Sequence, residues 1–133
     1  MDDATCTPEV VALTFVDRIN HADVDGLAAL MTDDHELRIF DEAPVRGRKA
    51  VVEGWQGYAR AFPLYQIVVR RVSVNGDRVA ILGHTTGSHL GLPDEEEAQL
   101  TVIWIARIDT GRVAGWTLVE DTAESRRALN LDR

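Results

Sequence analysis

Apolar positions recur every three to four residues through most of the first half of the chain and close to every second residue through the second half. From Thr7 to Asn20, Val11, Phe15 and Ile19 are spaced by four with Ala12 and Val16 beside them, which gives a helix a broad apolar face that packs inward. Thr7 suits the N-cap, Pro8 the first helical position, where its missing N–H costs nothing, and Glu9 faces the helix dipole favourably. Asp23 can cap a shorter helix carrying Leu27, Leu30 and Met31, closed by Thr32, Asp33 and Asp34, so the two helices form a hairpin. His35, Leu37, Ile39 and Asp41 then alternate with Glu36, Arg38 and Phe40, as in a strand, before a turn around Pro44 and Gly47. The period changes again from Arg48 to Phe62, where Val51, Trp55, Ala59 and Phe62 fall on one helical stripe that Pro63 ends. Gly54 and Gly57 each cost this helix ~1 kcal/mol relative to alanine, which suggests that something packs close against them.

The run from Leu64 to Asp121 reads as four strands joined end to end. Asn75-Gly76-Asp77 separates Tyr65–Val74 from Arg78–Leu90, and Asp109-Thr110-Gly111 separates Ala98–Ile108 from Arg112–Glu120. Both separators are hairpin turns whose residues tolerate positive φ. The segment Leu100–Ala106 is apolar on both faces, as befits a central strand covered on both sides. The helices would cover one side and a second copy of the chain the other, so a homodimer through the sheet is expected. Asp121 then caps a last helix, with Glu124 as its capping-box partner. Helices segregated from a meander predict an α+β fold, an antiparallel sheet curled around the helices with an apolar pocket at one end.

Composition narrows the partners. The chain of 133 residues reads as one domain over residues 7–133, preceded by a disordered tail over residues 1–6. Cys6 is the single cysteine, so no internal disulfide can form and a reducing, cytoplasmic setting is expected. No basic leader and no run of ~20 apolar residues is present, which argues against targeting or a membrane span. A net charge of -8, from 14 basic and 22 acidic residues, would repel a phosphate backbone and argues against nucleic acid. The acidic run Asp94–Glu97 reads as a solvated loop.

No glycine-rich phosphate loop, CxxC, HExxH or serine nucleophile elbow occurs, so neither a cofactor nor a metal is expected. What remains is acid–base chemistry by histidine and carboxylates. His84 and His89 have odd spacing and fall on opposite faces of a regular strand, unless a bulge at Gly87 re-aims the chain. His21 and His35, at a hairpin and a strand start, read as solvent-exposed. Trp116, Leu118 and Glu120 share one face of the last strand, and Thr117, Val119 and Asp121 the other. Glu120 at a pocket mouth beside tryptophan suits a general acid or base, whereas Asp121 also suits a helix cap. Asp41 ends its strand on the face of Leu37 and Ile39 and is a further candidate for the cavity rim. The catalytic candidates are therefore His89, Glu120, Asp121 and Asp41. Phe15, Trp55, Tyr58, His84, Trp104 and Trp116 are candidates for lining the substrate pocket.

The order of several segments is informative: Asn20–Leu27, Met31–Asp34, Gly47–Val51, Gly87-Ser88-His89-Leu90-Gly91, and Gly111-Arg112-Val113 before a tryptophan-bearing strand that ends in acid. From Pro8 to Leu129 this layout resembles the nuclear transport factor 2-like superfamily, most closely its SnoaL-like polyketide cyclase branch. The resemblance implies a cone of curved sheet around a long helix, a deep apolar cavity and frequent dimerisation. It also implies acid–base ring closure without cofactor, by the histidine of a Gly-Thr-His-Xaa-Gly segment and a late-strand acid. His89 matches the first, with Ser88 in place of threonine. Spacing from Trp116 favours Glu120 for the second, and spacing from Gly111 favours Asp121. The chain also resembles ketosteroid isomerase in its helix hairpin, but the oxyanion-hole tyrosine of that enzyme falls on Phe15 and its oxyanion-hole aspartate on Trp104. Its base falls on Ile39 or, after a two-residue slip, on Asp41. Loss of both oxyanion donors argues against steroid isomerisation. The function expected is cyclisation, isomerisation or epoxide opening of a small apolar molecule; the alternatives are a carrier of a small hydrophobic ligand and a dimeric interaction module.

Overall fold

A computed structural model describes residues 7–132, so Cys6 and the tail expected over residues 1–6 lie outside the described residues. Helix α1 (Pro8–Asn20) starts at its capping signal, with the Val10 N–H donating to Thr7 Oγ1 at 3.3 Å. Its face of Val11, Ala12, Phe15, Val16 and Ile19 is buried. Asp23 caps α2 (Val24–Leu30) by accepting the Gly26 N–H at 2.9 Å.

The strands are β1 (Met31–Ile39), β2 (Val45–Arg46), β3 (Gln66–Asn75), β4 (Arg78–Thr86), β5 (Val102–Asp109) and β6 (Arg112–Glu120). They form one curved, unclosed sheet in the order β2-β1-β6-β5-β4-β3. The meander β3 to β6 is antiparallel throughout, as its hairpin turns require. One departure from the expected pattern is β1, which pairs parallel to β6. A parallel partner needs a long crossover, and here β2, helix α3 (Arg48–Ala61) and the meander supply it.

Burial sorts the two faces. Val79, Ile81, Trp104, Ala106 and Trp116 face α1 in the main core, while Ala80, Leu82 and Ile103 face the other way. That second face is packed by Leu129 and Leu131 from the chain's own C-terminal end, a cover that the expectation of a second copy did not foresee. The last helix, α5 (Ala123–Ala128), is capped by Thr122, which accepts the Ser125 N–H at 3.0 Å. Asp121, expected in that role, is held instead by Arg126.

Several other expectations need correction. Met31 lies just past α2 as its C-cap and opens β1, and its side chain is fully buried. Between Met31 and Glu36 the register shifts, because β1 advances over that stretch while β6 moves only from Val113 to Gly115. This irregularity turns His35 inward beneath Phe15, so the histidine expected at the surface is 0% exposed. Gly54 and Gly57 have nothing within 4 Å of where a Cβ would sit, so close packing does not explain them. The acidic run forms one helical turn, α4 (Asp94–Glu97), in which Asp94, Glu95 and Glu96 are exposed but Glu97 is 1% exposed. Among the described residues no helix is long and apolar enough to cross a membrane.

Candidate functional site

The strand ends of β1, β4 and β6 and the start of β3 lie at one end of the sheet. Asn20 ties the end of α1 to this rim: its side-chain amide accepts from the Ile67 N–H at 2.7 Å and donates to the Ile67 carbonyl at 2.9 Å. Helix α3 then lays Trp55, Tyr58 and Phe62 towards Tyr65, which follows Pro63 and precedes β3. Tyr58 stacks edge-on to Tyr65 with centroids 4.9 Å apart and lies 4.8 Å from Phe62, while Trp55 stands 6.4 Å from Tyr58. These rings and Ile19, Val24 and Leu27 enclose about 10 Å³, room for roughly one water. The deep cavity implied by the resemblance is therefore closed down around its aromatic lining.

Strand β4 stops at Thr86 rather than running to Leu90, because Gly87 turns the chain with a φ of +66°. A Cβ there would collide with the Leu64 carbonyl oxygen, so only glycine lets this loop lie against the segment that leads into β3. The turn carries His89 over α3. Its backbone N–H donates to the Tyr58 hydroxyl oxygen at 3.2 Å, and its Nδ1 lies 2.9 Å from the same oxygen. Burial, as the largest influence, raises the pKa of Tyr58, with the hydrogen bond from the His89 backbone opposing it. Burial likewise pushes the Tyr65 phenol far above its ordinary value. Both rings therefore stay neutral hydrogen-bonding groups across the physiological range.

The same loop returns through α4 to place Glu97 at the end of β4. Its Oε2 accepts a hydrogen bond from the Thr85 hydroxyl, and its Oε1 is buried without a partner. Sequence reasoning missed this residue, because four consecutive acids read as a solvated run. The Pro93 that starts the turn was the available signal, since Glu97 hydrogen-bonds back to it and so lies one helical turn further on.

The other candidates are distributed as follows. Glu120 is the last residue of β6, on the register of Trp116 and Leu118, and is exposed. It pairs with Val102, which pairs with Gly83, so it stands two strand spacings, ~10 Å, from β4. Asp121 belongs to the opposite face and is bound by Arg126 at 2.6 and 2.8 Å and by the Thr101 hydroxyl at 2.5 Å. The Arg126 hydrogen bond holds its carboxyl below the usual aspartate range. Asp41 is exposed just after Phe40, whose φ of +49° ends β1. His84 shares the face of Ala80 and Leu82, away from α1, where burial first and Arg70 second lower its pKa. Phe15, Trp104 and Trp116 pack as core, with Phe15 4.9 Å and Trp104 6.5 Å from Trp116 by ring centroid. The structure thus brings His89, Tyr58 and Trp55 together at the rim and separates them from the other pocket candidates.

Two broadly open grooves of about 600 and 610 Å³ lie elsewhere, one beside Arg71–Val74 and Leu131, the other between α2 and α3 beside Arg48 and Glu53. Neither contains a sequence-predicted site residue, and the small aromatic-lined cavity is the more relevant one on chemical grounds. Among the described residues no three His, Cys, Asp or Glu side chains gather as they would for a metal ion.

No curated protein sequence matches this chain. Among solved structures, an uncharacterised cystatin-fold protein from Novosphingobium aromaticivorans superposes with a TM-score of 0.74 at 18% identity, covering 86% of this chain and 98% of its own. A proposed polyketide cyclase from Sinorhizobium meliloti gives 0.68 at 20% identity, over 81% of this chain and 92% of its own. An LEH-like epoxide hydrolase from M. tuberculosis gives 0.64 at 14% identity, over 90% and 86%. At such identities the likeness establishes the fold alone. The sequence itself matches the family described as the SnoaL-like domain over residues 12–116, from the second turn of α1 to the middle of β6, and the chain belongs to that family.

Proposed function

We propose that the protein is a cofactor-independent enzyme that moves a proton on a small, largely apolar molecule, in a cyclisation, isomerisation or epoxide opening. The observation that carries this reading is the contact between His89 Nδ1 and the Tyr58 hydroxyl oxygen at 2.9 Å, at the edge of an aromatic-lined cavity. Imidazole is the ordinary choice for proton exchange near neutral pH. In the tautomer that serves this chemistry, Nδ1–H donates to the phenol oxygen and Nε2 carries the free lone pair. Nε2 takes the substrate proton, and Tyr58 keeps the ring oriented as the imidazolium forms. Glu120, on the inward register of β6, is the rim acid best placed to face a substrate from the other side. Asp121 is committed to Arg126 and serves structure, and Asp41 lies in an exposed turn.

Family membership supports a small-molecule substrate, and the proposed cyclase and the epoxide hydrolase among the structural relatives support this range of reactions. The reading includes a cytoplasmic setting, suggested by the lone cysteine, and a homodimer through the sheet face where Ile105 and Val119 remain half-buried. The cavity has to open for a substrate to enter, and α3 with its exposed Gly54 and Gly57 is the element suited to give way.

The test is turnover of a panel of small epoxides and β,γ-unsaturated ketones by the wild-type protein and by His89→Ala. The proposal expects at least one compound to be converted and the variant to lose that activity a hundredfold or more. Conversion of nothing in the panel, or an undiminished rate in the variant, contradicts it.

A further inference from the structure

Strand β4 ends at Thr86 and its neighbour β5 starts at Val102, so residues 87–101 leave the sheet and come back to the adjacent strand. Compact surface loops whose ends lie close together frequently serve function. Among the described residues, the backbone-to-backbone hydrogen bonds of residues 88–100 run only to one another, from Gly91 on Ser88 to Leu100 on Glu97. None reaches another element, so the loop folds on itself and hangs on the body by side chains. Its two ends are fixed, Gly87 with a φ of +66° against the Leu64 carbonyl and Thr101 by its hydroxyl on Asp121.

Side chains tie the loop down in two places. At one, the Tyr58 hydroxyl oxygen accepts the His89 N–H at 3.2 Å and meets His89 Nδ1 at 2.9 Å. At the other, the Thr85 hydroxyl donates to Glu97 Oε2, and Arg70 donates to the Ala98 carbonyl at 2.7 Å. The first tie sets the His89 ring edge-on to Tyr58 and Phe62, at centroid distances of 5.9 and 6.2 Å, and both of those rings line the aromatic cavity. The second is weaker than its burial suggests. Glu97 is 1% exposed, yet among the described residues the Thr85 hydroxyl is the one hydrogen-bond partner of its carboxyl group, and Oε1 has none. A buried polar group held so sparingly gains by returning to water, which suits a part that comes away and docks again.

We propose that residues 87–101 form a flap that docks as one piece, with the Glu97–Thr85 hydrogen bond as its latch and His89 on its span, so that unlatching lifts His89 from Tyr58 and Phe62 and frees those two rings to open the cavity. Glu97 is then a positioning residue, acting on His89 through the loop. The inference concerns access to the acid–base site and rests on that reading for the role of His89, whereas the flap itself is a property of the fold. Without the Thr85 hydroxyl the Glu97 carboxyl group has no partner where it lies, and it reaches water only when α4 leaves β4.

NMR reads the coupling between the two ties, which share no atom. In Thr85→Val, NOEs from the His89 ring to the Tyr58 and Phe62 rings should fall by about half or more, and the Ala98 and Leu100 amides should exchange roughly tenfold faster, while Ile81 and Trp104 in the paired strands keep their rates. Thr85→Ser keeps the hydroxyl and should match the wild-type protein on every count. Tyr58→Phe removes the other tie and should speed the Ala98 and Leu100 amides in turn, a reciprocal test that stands even where Thr85→Val does not fold. Unchanged His89 NOEs in Thr85→Val, unchanged loop exchange in Tyr58→Phe, or Ile81 and Trp104 accelerating as much as the loop overturns the proposal, as does a Thr85→Ser protein that behaves like Thr85→Val. None of these readouts needs turnover: a coupled loop in a protein whose activity survives His89→Ala would keep the flap and remove the catalytic reading, and an uncoupled loop with His89-dependent activity would do the opposite.

Discussion

The inner face of the curved sheet and the rim beside α3 treat aromatic residues in opposite ways. On the inner face beneath α1, Phe15, Trp104 and Trp116 are at most 2% exposed and stack as core. At the rim Trp55, Tyr58, Phe62 and Tyr65 are only half-buried, surround a small void, and stand next to polar atoms that lack partners. The first arrangement contributes stability through close packing and dispersion. The second leaves the Trp55 indole N–H without a partner beside a void, whereas the core's one such atom, His35 Nε2, is sealed beneath Phe15. The close-packed face and the looser rim are thus distinct regions of one small domain.

That division can be probed from the core outward. Phe15→Ala removes a fully buried ring of α1 and should cost about 3–5 kcal/mol in denaturant unfolding; a loss below ~1 kcal/mol would mean that the close-packed inner face is not the stabilising region. Asp121→Ala strips Arg126 and Thr101 of their shared acceptor and should cost about 2 kcal/mol at neutral pH, with little change in any rim activity. A loss of turnover without loss of stability would return Asp121 to the catalytic group.

The pH dependence of stability reports on the two buried histidines, His35 beneath Phe15 and His84 on the other face of β4. His35 donates from Nδ1 to the Val113 carbonyl at 2.7 Å, and burial holds its pKa below the ordinary 6.5. The Val113 hydrogen bond opposes that shift, as do Asp34 and Glu36, while Arg107 reinforces it. The unfolded chain thus takes up a proton that the folded chain refuses. Stability from this group is full above pH 6.5 and declines as pH falls through 6.5 towards the folded value, by at most about 1.4 kcal/mol per pH unit. His84 shifts in the same direction, so the Tm between pH 7.5 and 5 should be compared for His35→Gln, His84→Gln and the wild-type protein. Each variant is expected to flatten the acid limb, and an unchanged limb in His35→Gln contradicts the assignment.

Gly54→Ala and Gly57→Ala give the smallest effect and the opposite sign. Each position lies inside α3 with open space where the Cβ would go, so alanine should stabilise the protein by about 1 kcal/mol. Slower turnover in these more stable proteins would show that the rim helix has to yield.

The meander was legible because its turns are: Asn75-Gly76-Asp77 and Asp109-Thr110-Gly111 sit where the chain reverses, and β6 has the predicted bounds of Arg112–Glu120. The stripe of α1 was equally plain. What escaped the pattern depends on contacts distant in sequence. His35 is buried by a register shift against β6, Glu97 by a loop that folds back on Thr85, and β1 is parallel because of where the crossover delivers it. No local period reports such events. Around the proposed site, the short segment that singles out His89 does not show that the positive φ of Gly87 carries it over α3, and the hold of Arg126 on Asp121 is likewise a contact that no spacing reports.

The division between core and rim is tested most directly by measuring turnover and melting temperature on the same preparations of His89→Ala and Phe15→Ala. The account predicts that His89→Ala loses at least a hundredfold in turnover with a Tm within about 2 °C of wild type, while Phe15→Ala loses about 10 °C or more. Full turnover in His89→Ala, or a Tm that falls as far as that of Phe15→Ala, would contradict it.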